Sequence, residues 1–288
     1  MNIANAAAAR IYLIESLTPR YGAGEAAAIA RIVLEDAFGV RNGSGARVFD
    51  EAEQMRFAHI RDRLLSGEPV QYVLGEADFF GLKFRVGPAV LIPRQETEEL
   101  VAWALEFLEK YPPEKPEVLD IGLGSGCIGI TLKKKMPRIR LSGVETSPAA
   151  LSLAVQNAEK ILGVGQFAFF GCDILQRANW AQFSQFDLVI SNPPYIPESE
   201  KNIVPEHVSA FEPAEALFVG DDDPLIFYRA IATFCLEKLG PGGALFLECN
   251  EFNAEAVAAL LRKQGFAETE LRKDIAGADR MVRASRPR

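Results

Sequence analysis

The 288-residue sequence predicts an α/β fold in which a mostly parallel sheet of seven strands follows a small helical domain. Two observations lead to this prediction. From residue 95 onwards, short apolar runs alternate with helical patterns, as expected for parallel strands covered on both faces. Before residue 67, apolar residues instead recur at the spacing of one helical face. We therefore predict a helical domain at 1–66, a hairpin linker at 67–94 and a larger α/β domain at 95–288.

The helical domain is expected to be a small bundle. Apolar residues share one helical face around 29–37 and again around 57–64. Glycines at 22–24 and in the stretch 41–45 predict turns between the helices. Because helices of this length are unstable alone, they are expected to pack on each other.

The linker and the α/β domain follow from local patterns. Between 67 and 94 the β-like runs 71–74, 79–82 and 83–86 are broken by glycine and predict a hairpin. The predicted strands of the larger domain lie at 117–121, 140–145, 167–172, 186–191, 244–249, 268–271 and 281–284. Helices are expected at about 96–111, from the glycine loop through about 135, and at about 148–162, 225–239 and 254–263.

Composition limits the class of protein. Hydrophobic residues make up 49% and charged residues 24%, which is typical of a globular chain. The formal net charge is −8, and residues 1–75 hold eight Arg, no Lys and nine acids, so no basic arm for nucleic acid is expected. No apolar run reaches the ~20 residues that span a bilayer, and the N-terminus lacks the pattern of a signal peptide. We expect a cytoplasmic monomer without membrane contact.

No metal site and no disulfide are expected. The four cysteines are scattered without CxxC spacing, and the chain has only two histidines. Scattered cysteines of this kind are usually buried apolar side chains. Because no Ser, Cys or His cluster offers a nucleophile or a base, the chemistry must come from other groups.

The stretch Asn192-Pro193-Pro194-Tyr195, directly after the strand predicted at 186–191, is the strongest signal for a functional site. In an open α/β sheet, ligands bind at the carboxyl ends of the strands. The Asn192 side-chain oxygen and the Pro193 carbonyl offer two fixed acceptors for the N–H groups of a planar amide or amine. Tyr195 is expected to pack on that group and limit its tilt.

We therefore predict Asn192, Pro193 and Tyr195 as catalytic residues, and Asn192, Pro193, Pro194 and Tyr195 as substrate-binding residues. The alternative for the two prolines is that they only terminate the strand, since proline breaks strands strongly.

A glycine-rich turn, Asp120–Gly126, follows the first strand of the larger domain and opens a helix. Glycines there permit a tight turn and a close approach of a ligand to the backbone. Taken alone the pattern is ambiguous, because Gly124–Gly129 fits G-x-G-x-x-G and Glu145 lies 21 residues beyond Gly124, as in dinucleotide sites. A tight turn that binds nothing is a further alternative.

Acidic residues favour S-adenosylmethionine over a dinucleotide. The Asp120 carboxylate is expected to face the ligand, where it would repel a pyrophosphate and attract an ammonium or sulfonium group. Glu145 can accept hydrogen bonds from both ribose hydroxyls. Asp173 can accept from the adenine amino group while Ile174 packs on the ring, although Asp173 could equally be a loop acid or a helix cap. The predicted cofactor-binding residues are Asp120, Gly122, Leu123, Gly124, Ser125, Gly126, Glu145, Asp173, Ile174 and Asn192.

With the glycine loop, the acid after the second strand and Asn-Pro-Pro-Tyr in this order, the chain resembles class I S-adenosylmethionine-dependent methyltransferases. It is most similar to the peptide chain release factor glutamine N(5)-methyltransferases, over about residues 36–283. Asn-Pro-Pro-Tyr is also found in adenine-N6 DNA and RNA methyltransferases, so the further motifs make the resemblance specific. These motifs are Gly67–Gly75, Phe79–Leu82, Leu91–Val101, Glu212–Leu217 and Asp279-Arg280.

The resemblance implies a seven-stranded Rossmann-like methyltransferase sheet and a helical domain at 1–66 that recognises the substrate. It implies methyl transfer from S-adenosyl-L-methionine to the side-chain amide nitrogen of a protein glutamine, with S-adenosyl-L-homocysteine as product and no metal. The implied partner is a class I peptide chain release factor, methylated at its Gly-Gly-Gln glutamine. The chain departs from the residues usual in the family at Gln95, Leu123, Glu145, Ile174 and 249–253.

Other functions stay open at this point. Some relatives methylate a glutamine of a ribosomal protein instead. An adenine-N6 nucleic-acid methyltransferase would suit the same acceptors but needs a basic, stacking-rich surface. A NAD-dependent oxidoreductase would need a catalytic proton donor, which this sequence lacks. The remaining alternative is a catalytically silent binding protein of the same fold.

Overall fold

The computed structural model describes residues 5–41, 45–111 and 113–286. The turn predicted at 41–45 lies partly outside the described residues, at 42–44. Among the described residues, no helix is both long enough and apolar enough to cross a bilayer.

The α-helices are α1 Ala6–Ile32, α2 Glu51–Leu65, α3 Val70–Leu74, α4 Gln95–Lys110, α5 Cys127–Lys135, α6 Pro148–Leu162, α7 Glu206–Ser209, α8 Ala214–Leu217, α9 Ile226–Lys238 and α10 Ala254–Gln264. The strands are β1 Glu76–Phe79, β2 Leu82–Arg85, β3 Glu117–Ile121, β4 Arg140–Glu145, β5 Phe167–Gly171, β6 Phe186–Ser191, β7 Ile196–Pro197, β8 Phe218–Val219, β9 Leu239–Glu248, β10 Glu268–Lys273 and β11 Asp279–Ser285. A π-helical turn at Val33–Ala37 extends α1, and 3₁₀ turns lie at Arg177–Gln182 and Glu198–Glu200.

A seven-stranded sheet forms the centre of the larger part of the chain, in the order β10-β11-β9-β6-β3-β4-β5. The five strands β3, β4, β5, β6 and β9 run parallel, β11 is antiparallel to β9, and β10 is antiparallel to β11. This sheet confirms the predicted fold class and strand number.

Both faces of the sheet are covered, as the continuous apolar strands require. Along β3, Leu119 belongs to one buried cluster together with residues of α9 and α10. Its neighbour Val118 belongs to another cluster, together with residues of α4 and α5. Because successive side chains of a strand point to opposite faces, one short apolar run contributes to both cores.

The chain divides into two compact units. The first comprises the residues up to Glu76 together with Glu206–Phe211, and the second comprises Ala77–Pro205 and Glu212–Arg288. In the first unit, α1, α2 and α3 pack around one apolar cluster. The predicted turn at 22–24 corresponds to a break in α1 at Gly22, whose φ of 77° only glycine adopts without strain.

The structure corrects the β-like prediction for 71–74, which forms helix α3 instead. Val70 and Val73, three residues apart, lie on one helical face and are buried in the cluster of the first unit. Gly75, with a φ of 75°, ends the helix. The β-branched and aromatic residues favour a strand locally, but burial on one helical face decides the conformation.

The predicted linker 67–94 is divided between the units. Residues 67–76 belong to the first unit, whereas the rest of the β1–β2 hairpin belongs to the second. There the backbone N–H of Arg85 donates to Asn157 Oδ1 of α6 at 2.8 Å, so the hairpin is anchored to the α/β unit.

β3 and β6 are neighbours in the middle of the sheet, where the direction of strand addition reverses. The Ser191 hydroxyl at the end of β6 donates to the Ile121 carbonyl at the end of β3 at 2.7 Å. The glycine loop and Asn-Pro-Pro-Tyr therefore begin side by side at the switch point where open α/β sheets bind ligands.

Candidate active site

A pocket opens at the carboxyl ends of the parallel strands and encloses about 1060 Å³, including the part open to solvent. Its walls come from the loops after β3, β4, β5 and β6, with residues 89–94 and 213–216 completing them. The predicted site residues that line it are Gly122, Leu123, Gly124, Ser125, Glu145, Asp173, Ile174, Asn192, Pro193 and Pro194. Three predicted residues, Asp120, Gly126 and Tyr195, lie outside the pocket lining.

The glycine loop presents bare backbone to the pocket. Gly122 and Gly124 have φ values of 76° and 52°, and a Cβ at either position would meet no other atom within 4 Å. Gly126 has another role, because a Cβ there would lie 2.6 Å from the Ile130 side chain. Two of these glycines leave room beside a ligand, and the third permits close packing at the start of α5.

Glu145 fixes the shape of this loop. Its Oε2 accepts from the Gly124 N–H at 2.9 Å, and its Oε1 accepts from the N–H groups of Thr146 and Ser147 at 2.8 and 3.0 Å. A carboxylate has about four acceptor positions. The side chain therefore retains acceptor capacity mainly at Oε2, while its other contacts order the backbone around the pocket.

Asp173 and Ile174 follow β5 and both line the pocket. The Asp173 carboxylate also accepts from the Leu175 N–H at 2.9 Å and from Gln176 Nε2 at 3.1 Å. Ile174 is 6% exposed and belongs to the adjoining apolar cluster. Asp173 is therefore a loop acid that orders the turn and also borders the pocket, and it does not cap the following helix.

Asp120 does not face the ligand as predicted. It is fully buried behind the loop, and its Oδ2 accepts from the Gly129 N–H of α5 at 2.8 Å. Its Oδ1 has no hydrogen-bond partner among the described residues. Burial, reinforced by the charge of Glu145, raises the pKa of Asp120 to about 8. A carboxyl that is largely protonated at pH 7 supplies no charge to repel a pyrophosphate, so the argument against a dinucleotide cannot rest on Asp120.

The charges that line the pocket distinguish the two cofactors instead. Within the described lining, Glu145, Asp173 and Glu215 carry carboxylates, and Arg94 carries the one positive charge. The Arg94 guanidinium already pairs with buried Glu212, at 2.5 Å. This balance suits a ligand with positive groups and no phosphate, which describes S-adenosylmethionine rather than a dinucleotide. Together with the bare glycine backbone, it makes the pocket a fitting site for that cofactor.

Asn192 is held from behind by two buried side chains. Its Nδ2 donates to Thr97 Oγ1 at 3.3 Å, and the Thr97 hydroxyl donates to Glu248 Oε2 at 2.6 Å. Thr97 lies in the first turn of α4, and Glu248 is the last residue of β9, the strand beside β6. With Nδ2 committed to Thr97, Oδ1 is the Asn192 atom that remains to accept from a ligand.

Tyr195, which was expected to pack on the bound amide group, packs against the apolar cluster that contains Val189 and Tyr228 and is only partly buried. Burial and the charge of Glu248 raise the pKa of its phenol, so the group stays protonated. The side chain supports the corner from outside the described pocket lining.

Glu248 was not among the predicted site residues, and Arg94 and Thr97 were not assigned to the site because a role at the start of a helix explained them equally well. The Arg94–Glu212 pair, with Glu212 Oε2 also accepting from the Ile92 N–H at 3.0 Å, joins the two wall segments near residues 92 and 212. A signal for Glu248 was present, because it ends an apolar strand as Glu145 does. Its partner in the fold, Thr97, lies 151 residues away in sequence.

Comparison with known proteins gives consistent matches over both parts of the chain. Residues 102–212 match the methyltransferase small domain family, and residues 10–75 match the PrmC N-terminal domain family. A release factor glutamine methyltransferase of Bacteroides thetaiotaomicron is 37% identical over 96% of this chain and 98% of its own length. One of Flavobacterium psychrophilum is 39% identical over 82% of each chain.

Solved structures share the fold at lower sequence identity. The hMettl16 catalytic domain in complex with an RNA hairpin is 17% identical, with a TM-score of 0.59 over 91% of both chains. A methyltransferase from Pyrococcus furiosus is 15% identical, with a TM-score of 0.51 over 79% of this chain and 98% of its own. At these identities the likeness concerns the fold alone.

Proposed function

The chain belongs to the family of release factor glutamine methyltransferases, and from this premise we propose that it transfers a methyl group from S-adenosyl-L-methionine to a protein glutamine. The acceptor is the side-chain amide nitrogen of the Gly-Gly-Gln glutamine in a class I peptide chain release factor. The observation that carries the proposal is the Asn192 amide, whose Nδ2 is bound to Thr97 while Asn192 itself lines the pocket.

The loops after β3, β4 and β5 would hold the cofactor. The backbone of Gly122 and Gly124 would lie beside it, Glu145 would accept from its sugar hydroxyls, and Asp173 with Ile174 would border its base. When bound, S-adenosyl-L-methionine supplies an electrophilic methyl group on a positively charged sulfur. The carboxylates of the pocket favour that charge.

The residues after β6 hold the methyl acceptor. Asn192 Oδ1 and the Pro193 carbonyl each accept one N–H of the substrate amide, which fixes the plane of its NH₂ group. Because Pro193 has a fixed φ and no N–H of its own, its carbonyl stays in place and no competing donor is present there. Pro194 borders the pocket beside these acceptors.

Positioning is the main catalytic contribution of these residues. An amide nitrogen is a poor nucleophile, since its lone pair is delocalised into the carbonyl. Holding such a group in reactive geometry can supply about 7–11 kcal/mol of a barrier at best. The alkylated nitrogen becomes strongly acidic and loses its proton to solvent, so no general base is required before attack. This agrees with a chain that has only two histidines.

The helical domain at 1–66 is the part that we assign to recognition of the release factor. Residues 1–75, which include this domain, hold eight Arg and nine acids, and this near-neutral balance suits a protein partner better than a nucleic acid. Two apolar side chains in this unit, Val48 and Met55, are 70% and 65% exposed and could contribute to such a contact.

Parallel labelling tests the proposed function. The protein is incubated with methyl-labelled S-adenosyl-L-methionine and, separately, with a release factor, ribosomal proteins and DNA, and the methyl group is mapped by mass spectrometry. We expect label on the glutamine of the Gly-Gly-Gln sequence. Label only on a ribosomal-protein glutamine would change the substrate, and label only in DNA would overturn the proposal.

A further inference from the structure

Two buried polar side chains form a chain of hydrogen bonds that ends at the half-buried active-site amide of Asn192. Glu248 and Thr97 are each 2% exposed, and they come from different elements, β9 and α4. The Thr97 hydroxyl donates to Glu248 Oε2 at 2.6 Å and accepts from Asn192 Nδ2 at 3.3 Å. Glu248 also lies within hydrogen-bonding reach of the Asn192 side chain.

When Glu248 is ionised, only one arrangement of hydrogen-bond donors and acceptors along this chain is possible. A carboxylate only accepts, so the single proton of the Thr97 hydroxyl must point to Glu248. The oxygen of Thr97 then has lone pairs alone to offer to Asn192, and the amide must turn its NH₂ group inwards. Asn192 Oδ1 is thereby directed away from the network, where a substrate N–H can reach it.

We propose that Thr97 and Glu248 are positioning residues that fix which way the Asn192 amide is turned. The inference rests on the proposed function, in which Oδ1 accepts from the substrate NH₂ group. In the reversed orientation, Nδ2 would face that NH₂ group and two donors would oppose each other. A reversed Asn192 therefore cannot hold the substrate amide, although its shape is almost unchanged.

Protonation of Glu248 removes this constraint, because a neutral carboxyl carries a donor of its own. Burial raises the pKa of Glu248 to about 7, with Glu96 acting in the same direction and Arg280 opposing it. The other titratable groups whose interactions involve Glu248 are Cys127, Tyr195, Tyr228 and Cys249. Burial raises the pKa of each of these four, so they stay neutral while Glu248 titrates.

Two substitutions separate the Thr97 hydroxyl from the bulk of its side chain. Thr97→Val retains the shape and removes the hydroxyl, whereas Thr97→Ser retains the hydroxyl. With a release factor as substrate, we expect Thr97→Val to lower kcat about tenfold, as for one lost hydrogen bond in a buried network. Thr97→Ser should stay within about twofold of the wild type, with little change in substrate KM or cofactor Kd.

Thr131→Val is the matched control. Thr131 is a fully buried threonine of α5 whose hydroxyl has no hydrogen-bond partner in the described part of the chain. This variant should retain the kcat of the wild type. A wild-type kcat in Thr97→Val would overturn the proposal, and so would equal losses in Thr97→Val and Thr97→Ser, because a structural role alone would produce them.

The pH profile gives a second test that a purely structural role would not affect. With saturating cofactor, kcat should rise several-fold with pH through about 7 and then reach a plateau. Glu248→Gln removes the titrating group and should flatten this step. A step that persists in Glu248→Gln would assign it to another group and contradict the proposed control by Glu248.

Nuclear magnetic resonance detects the orientation-dependent environment of the Asn192 side-chain amide in the absence of turnover. Its two side-chain ¹H–¹⁵N signals are assigned by their loss in Asn192→Ala. We expect them to titrate with a midpoint near pH 7, to shift in Thr97→Val and to stop titrating in Glu248→Gln. Signals that respond to none of these changes would overturn the inference. A wild-type protein that methylates no glutamine would instead overturn the proposed function, and the resonance data would still decide the role of Thr97 and Glu248.

Discussion

The two loops that meet at the switch point of the sheet are built by opposite means. The loop after β3 owes its shape to glycines with φ values of 76°, 52° and 79°, which only residues without a side chain adopt freely. The corner after β6 owes its shape to Pro193 and Pro194, whose rings fix φ. The first leaves space for a ligand along bare backbone, and the second holds two acceptors at fixed positions.

A buried carboxyl stands behind each loop, and the two carboxyls have different partners. Asp120 accepts from the backbone N–H of Gly129, so it stabilises the turn into α5. Glu248 accepts from the Thr97 hydroxyl, which in turn holds the Asn192 side chain. Asp120 thus orders the main chain of one loop, whereas Glu248 acts through Thr97 on a side chain of the other. Substitutions in the two loops should therefore affect different measurements.

The largest effect is expected from Asn192→Ala, which removes one acceptor of the β6 corner. Methyl transfer should fall at least about 100-fold, as on the loss of a preorganised polar group at a reacting centre. Cofactor affinity should change little, because the loop after β3 is intact. Single-turnover methylation and calorimetric cofactor binding measure the two quantities, with the exposed Asn202→Ala as control. Substantial turnover by Asn192→Ala would remove Asn192 from its orienting role.

Glu145→Ala tests the other loop. It removes a carboxylate that accepts from Gly124 and borders the pocket, so we expect the cofactor Kd to rise about 10- to 100-fold. At saturating cofactor, kcat should fall much less. Calorimetry compares this variant with Glu159→Ala, an exposed glutamate of the following helix. An unchanged Kd would exclude Glu145 from the site.

The smallest effect on activity is expected from Asp120→Asn, which instead changes the pH dependence of stability. In the folded chain the pKa of Asp120 is raised from 3.8 to about 8. Between these values the folded state binds more protons than the unfolded state, so the free energy of unfolding decreases as pH rises.

Asp120→Asn lacks this titration. Its free energy of unfolding should therefore increase relative to that of the wild type between pH 5 and pH 8. Urea unfolding at both pH values measures it, with the exposed Asp222→Asn as control. A constant difference between wild type and variant would show that Asp120 titrates normally.

The sequence patterns predicted the sheet because its strands are buried on both faces and therefore appear as short apolar runs. They also predicted a site at Asn192, because this residue directly follows one of these runs, and Asn192 does line the pocket. Asp120 was placed on the wrong side of its loop, since a residue at the end of a strand can point to either face and the residue type does not decide which. The contact of Thr97 with Glu248 could not be predicted, because it joins residues 151 positions apart.

Residues 71–74 illustrate a different limit. Their β-branched and aromatic side chains favour a strand, but the local pattern carries no information on the surface that will bury them. The cluster of the first unit takes up Val70 and Val73 on one helical face. Tertiary packing therefore overrides local propensity in this short segment.

The path of the chain after the active-site corner has a consequence for engineering. Residues Glu206–Phe211 belong to the first unit, and the chain re-enters the second unit at Glu212, which pairs with Arg94 at the pocket wall. The helical unit is thus made of two separate stretches of sequence. A chimera that borrows this unit from a relative must exchange both stretches together, and a truncation before residue 77 would leave a six-residue remnant of it inside the catalytic half.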